Sequence, residues 1–431
     1  MLFKDITYID ENFNVVEHAY IGTKNGVIDY ISTANEKTDW GYGEVYDGRG
    51  KVLIPGLVNN HTHAAMTFMR GYGEDLPLQR WLNEKIFPFE AKWDQNSIYW
   101  AGMLAMAEMM SCGTTSFTDM YFFDKVAASV VADSGMKCNF CNPPVGTDGT
   151  PLKKMGYFPA VYEMIQKYGR ANKGRFTEEF GLHAEYSSCE SLARDTAEFA
   201  KENGLRLHVH MSETKLEHEE CKQRHGGLTP AKYLEACGVF ENPTNLAHCV
   251  WVEDEDIEIM AKHHVTATHC PSSNMKLGSG FAPVRKMLDA GINVALGTDG
   301  ASSNNNLNMF EEMHLAAMIA RGNSHNAGEI SPKEILKMAT VNGALSQGRN
   351  DTGLIKKGYK ADLAVVDFNR PHLVPCYDVL ANLVFSAQGS DVVLTMVDGD
   401  VIYRDGKYKT LDINKVYDKI SYYLPKILEQ I

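Results

Sequence analysis

Residues 245–270 read NLAHCVWVEDEDIEIMAKHHVTATHC. An apolar run at 245–250 carries His248, and a second at 265–270 carries His269. Between them EDEDIEIMAKHH reads as a helix whose first turn is acidic, where the helix dipole favours negative charge. Strand, helix, strand is the repeat of a parallel sheet, and the unit recurs outward in both directions. Further β-branched or apolar runs lie at 52–58, 114–119, 136–141, 178–184, 205–210 and 292–298. SIYWAGMLAMAEMMSCG, closed by the stop residue Gly113, DKVAASVVADSG and ESLARDTAEFAKENG read as intervening helices. Eight strands, each followed by a helix, is the count of a (β/α)8 barrel, which takes ~250 residues and carries its active site at the C-terminal strand ends.

The ends of the chain differ from this middle. FKDITYID and HAYIGTKNGVIDYI alternate and break at Asn-Gly; ADLAVVDF (361–368) and VVLTMVDGDVIYRDGKY (392–408) repeat the pattern, with a turn at Asp398-Gly399. Two β-rich ends predict a small discontinuous β-domain closed by both termini. The division expected is 1–52 and 356–431 for that domain, the latter with a C-terminal helix in DKISYYLPKILEQI, and 53–355 for the barrel.

The 431 residues are 44% apolar and 23% charged, which excludes disordered and low-complexity architectures. A net charge of −13 argues against nucleic-acid or anionic-membrane binding, both of which need a basic footprint. Nine scattered cysteines read as reduced thiols; Cys138 and Cys141 sit in a strand and make no four-ligand site. No stretch reaches the ~18 uncharged apolar residues of a membrane span, and MLFKDITYID has acids where a signal peptide needs an apolar core. A cytoplasmic protein is expected.

The ionisable residues fall at strand ends. His61 and His63 follow the first strand in LIPGLVNNHTH; His183, His210, His248, His269 and Asp299 end the fourth to eighth. All these ends open on one face of a barrel, so the residues converge. In His-Thr-His the two imidazoles share a side, because residues two apart on an extended chain do. His61, His63, His210 and Asp299 form an N3O set suited to Zn²⁺ or Fe²⁺ with one position left for water. Such an ion lowers the pKa of its water from 15.7 toward ~7. Glu213, one turn beyond His210, supplies an acid. His248 can hydrogen-bond the activated water and the tetrahedral intermediate, and Asp299 can take the water's proton while remaining a ligand.

PGLVNNHTHAAMTFMRGYGEDLPLQRWLNEKIFPFE, HVHMSET, LAHCV and CPSSNMKLGSGFAPVRKMLDAGINVALGTDGASSNNNLNMF resemble the amidohydrolase superfamily. Within it they look like deaminases acting on S-adenosylhomocysteine and 5′-methylthioadenosine, relatives of the triazine chlorohydrolases. The resemblance implies a distorted (β/α)8 barrel with a terminal β-sandwich, and hydrolytic deamination of an adenine nucleoside to the inosine analogue and ammonia. It makes Glu213 the acid that protonates the ring nitrogen and His248 the partner of the attacking water. Trp81, Glu90 and His183 match substrate contacts, with Glu90 on the ribose hydroxyls and His183 on the purine. Strand four, FTEEFGLHAEY, lacks the lysine that bridges two metals in relatives, so a single ion is expected.

One departure concerns the substrate's 5′ end. Relatives active on S-adenosylhomocysteine carry arginines after strand three, whereas CNFCNPPVGTDGTPLKKMGYF has none before Arg170. Lys153 or Lys154 would act only as point charges, which favours 5′-methylthioadenosine, 5′-deoxyadenosine or adenosine. The rival chemistry at the same centre is deamination of a free base (guanine, cytosine or a pterin) or triazine dechlorination, against which a ribose-binding Glu90 argues. A rival of another class, a silent scaffold, should have lost ligands or the acid, and this sequence keeps them. His269, the pair His263-His264, the Asn304–Asn306 run and the methionines of 103–110 read as structural, and nothing in the spacing of Asp119, at the end of strand two, separates a structural acid from one that supports the site. The partner expected is a small nucleoside; a homo-oligomer stays open.

Overall fold

The computed structural model describes residues 1–34, 41–170 and 174–431; positions 35–40 of the expected N-terminal β-segment lie outside that description. Five strands come first: β1 (Leu2–Ile9), β2 (Val15–Lys24), β3 (Val27–Ser32), β4 (Val45–Asp47) and β5 (Lys51–Pro55). A parallel series follows: β6 (Leu57–Thr62), β7 (Thr114–Met120), β8 (Lys137–Cys141), β9 (Phe176–Glu178), β10 (Phe180–Leu182), β11 (Leu207–Met211), β12 (Thr244–His248), β13 (Thr266–His269) and β14 (Asn293–Leu296). The chain ends with β15 (Leu363–Asp367), β16 (Val392–Val397), β17 (Asp400–Arg404), β18 (Lys407–Tyr408) and a helix at Ile413–Leu428.

The two ends of the chain meet in one nine-stranded sheet of order β18-β17-β16-β15-β5-β1-β2-β3, with β4 beside β1. Its closure is the antiparallel pairing of β5 with β15, Leu53 opposite Val365. The Asn25-Gly26 and Asp398-Gly399 turns both have positive φ, the geometry that a two-residue hairpin between twisted strands demands.

The parallel strands form a four-stranded sheet, β6-β7-β8-β9, and a five-stranded one, β10-β11-β12-β13-β14. The expected helices lie between them at Gln95–Ser111, Asp124–Ser134, Glu190–Asn203 and Asp254–Lys262. Gly113, Gly135 and Gly204 stop or follow the first three with φ of 82°, 77° and 62°. The first buries Met103, Met106, Met109 and Met110, as packing methionines should. No described helix is long and apolar enough to cross a membrane.

Two expected strands are each two elements. The run at 52–58 is the end of β5 and the start of β6, which belong to different sheets. Both are buried, so the sequence VLIPGLV gives no change of period where the chain changes partner. His61 therefore lies inside β6 and only His63 follows it. The fourth strand, expected at 178–184, breaks at Glu179. Its N–H donates to Phe140 O (2.7 Å) on one sheet, and the next N–H, of Phe180, to Arg206 O (3.0 Å) beside the other.

At the opposite junction, β14 leads to β6 through Asp299 N–H to His61 O (3.0 Å), Thr298 N–H to Asn59 Oδ1 (3.0 Å) and Asn59 Nδ2 to Thr298 Oγ1 (2.7 Å). Below these, Asn60 Nδ2 reaches Asn245 Oδ1 (3.1 Å) and Thr268 Oγ1 (2.7 Å), and Asn245 Nδ2 donates to Asn60 O (3.0 Å).

The terminal sheet is tied to the parallel strands by a buried cation. Lys137 of β8 sets its Nζ 2.6 Å from Asp362 Oδ2 and 2.7 Å from Asp398 Oδ1, and Arg175 joins Asp398 to Asp400. Removing one partner of a buried pair strands the other charge. Lys137→Met should therefore lose about 3–5 kcal/mol in urea unfolding, and adding Asp362→Asn should recover part of it.

Candidate active site

The C-terminal ends of the parallel strands surround a cavity of about 530 Å³. His63, Trp81, Glu90, His183, His210, Glu213, His248 and Asp299 all line it, and His61 lies sealed at its base. The structure thus brings every expected site residue to one place.

At the floor, three imidazoles and a carboxylate face inward. Asp299 Oδ1 stands 3.2 Å from His61 Nε2 and 3.3 Å from His63 Nε2, and His210 Nε2 is 3.3 Å from His63 Nε2. The donor atoms of His61, His63 and His210 lie within 4.8 Å of one another, as do those of His61, His248 and Asp299. The other ring nitrogens are committed. Nδ1 of His63 donates to Met120 O (2.6 Å) and Nδ1 of His210 to His183 O (2.8 Å), which leaves each Nε2 with a lone pair. His61 Nε2 is buried without a hydrogen-bond partner. An orphaned buried nitrogen among inward-facing lone pairs fits a divalent metal ion.

Electrostatics keep these groups in the ligating form. Burial pushes His61 down to about 4 and His210 well below the usual imidazole range. Burial alone would raise Asp299, but the close approach and charge of His61, then of His63 and His248, hold it well below the carboxylate range. Its other oxygen, Oδ2, accepts from Ser273 (2.7 Å) and Ser303 (2.8 Å). Those two serines, in CPSSN and GASSN, were not singled out in the sequence; only their nearness to Asp299 along and across the chain could have pointed to them.

Several site residues leave their strands in the left-handed region: Ser212 (φ 50°), His248 (74°), Cys249 (50°) and Asp299 (59°). Such backbone is unfavourable for non-glycine residues and persists where surroundings enforce it, as they do at functional sites. Beyond Ser212 the sequence supplies a capping box. Thr214 Oγ1 accepts the Glu217 N–H (3.2 Å), and the Glu217 carboxylate accepts the N–H groups of Ser212 (2.9 Å) and Glu213 (2.8 Å). That grip sets Glu213 over the cavity, its Oε2 3.8 Å from His248 Nε2. Burial raises Glu213, tempered by His248. Burial would lower His248, but Glu213 and Asp299 overcome it and raise it. Asn274 Oδ1 accepts from His248 Nδ1 (3.0 Å) and aims the other nitrogen inward.

The segment after β6 is helical over 78–90, with a π-helical turn at Leu82–Ile86. Nine residues of regular α-helix make about 2.5 turns and would turn Trp81 and Glu90 to opposite sides. The wider turn brings both to the cavity, a use typical of π-bulges. Tyr121 donates to Glu90 Oε1 (2.7 Å) and leaves Oε2 free. Burial still pushes Glu90 up to about 7. His183 Nδ1 meets Ser187 Oγ at 2.9 Å.

Asp119 Oδ1 accepts the Ala64 N–H (2.8 Å) and anchors the turn after His63. His269 is buried away from the cavity and contributes its carbonyl to Gly297 N–H (3.0 Å). Within the Asn304–Asn306 run, Asn306 Oδ1 accepts the Asn308 N–H (3.0 Å), an Asx-type bond. His263 Nε2 meets Glu235 Oε1 at 2.8 Å.

The amidohydrolase family profile matches residues 52–402, and the chain belongs to that family. It is 40% identical, over 98% of both chains, to a 5-methylthioadenosine/S-adenosylhomocysteine deaminase of Moorella thermoacetica. It is 41% identical to a 5′-deoxyadenosine deaminase of Methanosarcina mazei, over 90% of this chain and 89% of that one. Among solved structures, a zinc-bound adenosine deaminase from Xanthomonas campestris superposes with a TM-score of 0.94 at 28% identity, covering 99% of this chain and 98% of that one. An atrazine chlorohydrolase from Arthrobacter aurescens TC1 shares the fold at 24% identity, with a TM-score of 0.91 over 98% of this chain and 100% of that one.

The donor cluster predicts that the purified protein carries a divalent ion. His61→Ala, which removes the donor sealed from solvent, should lower the ion content measured by plasma mass spectrometry to background while circular dichroism stays unchanged.

Proposed function

We propose that this protein is a metal-dependent hydrolytic deaminase of an adenine nucleoside, releasing ammonia and the inosine analogue. The observation that carries this reading is the meeting, in one cavity, of an N3O donor set, the carboxylic acid of Glu213 and the Glu90 carboxylate, one oxygen of which Tyr121 holds. The names of the relatives support it.

In this reading His61, His63, His210 and Asp299 hold a single zinc ion. Bound there, zinc would lower the pKa of a coordinated water toward ~7 and so make a nucleophile available at neutral pH. Glu213, buried and raised, holds the proton that goes to N1 of the adenine ring as the water oxygen adds to C6. Negative charge therefore never accumulates on the ring. Asp299, kept ionised, accepts one proton of the water and passes it to the amine; the C6–N bond then breaks to give ammonia, the remaining hydroxyl proton goes to Glu213, and the C6 carbonyl of the inosine analogue forms with the acid restored. His248 hydrogen-bonds the oxygen that adds and the tetrahedral centre it creates. His183 contacts the purine, Trp81 packs the sugar side, and the free oxygen of Glu90 takes ribose hydroxyls.

The 5′ substituent is an uncharged one, such as methylthio or hydrogen, or the hydroxyl of adenosine itself. Leu78, Leu82, Ile86, Phe87, Phe122 and Val145 supply the apolar wall, and among the described residues no lysine or arginine lines the cavity. Lys153 borders a separate groove with Asp195, Glu198 and Glu202. Arg170 is bonded to Asn203. A homocysteine carboxylate would be desolvated there without a counter-ion.

The two parallel sheets are read as one distorted (β/α)8 barrel, joined at Glu179 and at Asp299, with the terminal strands a β-sandwich. The division is then 53–355 against 1–52 and 356–431; the pairing of β5 with β15 argues for moving the first boundary to Gly56. Nine free thiols, most of them buried, support a cytoplasmic setting.

Ammonia release across nucleosides and free bases tests the reaction. Activity is expected on 5′-methylthioadenosine and 5′-deoxyadenosine, with S-adenosylhomocysteine about 100-fold poorer in kcat/KM; activity confined to free bases would overturn the reading. Glu213→Gln should lower kcat by about 10²–10⁴ on the same substrate. Glu90 accepts hydroxyls best as a carboxylate, so kcat/KM should rise with pH through about 7, the value to which burial brings it. Glu90→Gln should raise KM and remove that rise, as pH profiles of the two proteins will show.

A further inference from the structure

We propose that His208 is a positioning residue that fixes the tautomer of His61 and thereby sets how tightly the site holds its ion. The inference rests on the reading of His61 as a metal ligand.

An imidazole can offer one nitrogen to a cation only when its proton sits on the other. His63 and His210 leave no choice, because the Nδ1 of each faces a backbone carbonyl, and a carbonyl only accepts. His61 has no carbonyl partner. Its Nδ1 lies 2.9 Å from Nε2 of His208, and a ring nitrogen either donates or accepts. If His208 donates from Nε2, the proton of His61 sits on its own Nε2 and blocks the inward-facing lone pair. If His208 accepts there, His61 carries its proton on Nδ1 and Nε2 is free to ligate. The second state requires the proton of His208 to be on its Nδ1. Each state holds two protons on the pair, so passing between them rearranges protons within the pair and releases none.

His208 is fully buried, and its Nδ1 has no hydrogen-bond partner. A buried N–H without an acceptor is unfavourable. The ligating tautomer of His61 is therefore available but held less firmly than those of His63 and His210. An acceptor at position 208 that needs no buried N–H of this kind would hold it better; a side chain with no acceptor would not hold it at all. Second-sphere partners of metal-bound histidines typically change affinity by 10–100-fold. His208 stands two residues before His210 on β11, and neither HVH spacing nor strand periodicity separates it from a ligand or from packing.

The test is zinc affinity of the full chain, by competition with a chromophoric chelator, in the parent, His208→Gln and His208→Phe. The Gln amide oxygen can accept from His61 Nδ1, so His208→Gln should match or exceed the parent. His208→Phe keeps the ring but no acceptor, and should bind zinc about 10–100-fold more weakly, with an unchanged metal-free melting temperature. Parent affinity in His208→Phe would overturn the inference, and so would an equal loss in both variants, which would assign the effect to packing. Imidazole ¹⁵N spectra of the zinc-loaded parent need no variant: protons on Nδ1 of both His61 and His208 are expected, and a proton on Nε2 of His208 would overturn the proposal. If His61→Ala binds zinc as the parent does, the assignment of His61 fails instead, and the chelator titration distinguishes the two failures.

Discussion

The structure is organised around one buried carboxylate. Asp299 must stay ionised out of contact with bulk water, a state that burial opposes strongly. Two serines hold one of its oxygens and two imidazoles face the other. Those imidazoles come from β6, at the far end of the chain's parallel series, and the main-chain bond from Asp299 to His61 carries that series across the junction. The same few atoms thus stabilise the charge, align the first strand with the last and shape the floor of the cavity. Metal-site geometry and the junction of the two sheets are a single constraint.

Holding that constraint requires the backbone to bend where the strands end. Asp299, His248, Cys249 and Ser212 adopt left-handed conformations that extended chain would avoid. The strain is local, and it is opposed by hydrogen bonds a residue or two away: Glu217 grips the two N–H groups beside Ser212, and Asn274 grips His248. A helix begins immediately after Thr214, so the capping box that starts it also fixes the acid over the cavity. Local helix chemistry and site chemistry share the same six residues, Ser212 to Glu217.

The sequence makes legible what its periodicities encode. Alternating strands and helices, histidines at strand ends and the Asn-Gly and Asp-Gly turns can each be read from neighbouring residues. Three features cannot. VLIPGLV conceals a change of sheet because both strands are buried, so apolar continuity hides the boundary at Gly56. Residues 78–90 carry a π-helical turn, which has no signature in a pattern tuned to 3.6 residues. Ser273, Asn274, Tyr121 and His208 act only through partners distant along the chain. A serine three residues past a cysteine has no property that announces a carboxylate 26 positions later. Sequence reading finds the groups that do chemistry by their type, and misses the groups that aim them because their type is ordinary.

The polar interior below the site follows from the same logic. Asn60 and Asn245 bond to each other and to Thr268 where aliphatic side chains would pack at less risk. Apolar contacts tolerate a slide along the strand direction; directional amide bonds do not. A slip of β6 by one residue would carry His61 and His63 away from Asp299. It would also break each amide bond at once, leaving several buried polar groups without partners. The asparagines therefore make the misregistered strand far more costly than an apolar interior would. They confine β6 to the one register in which two histidines meet Asp299, and that register is what the donor cluster needs.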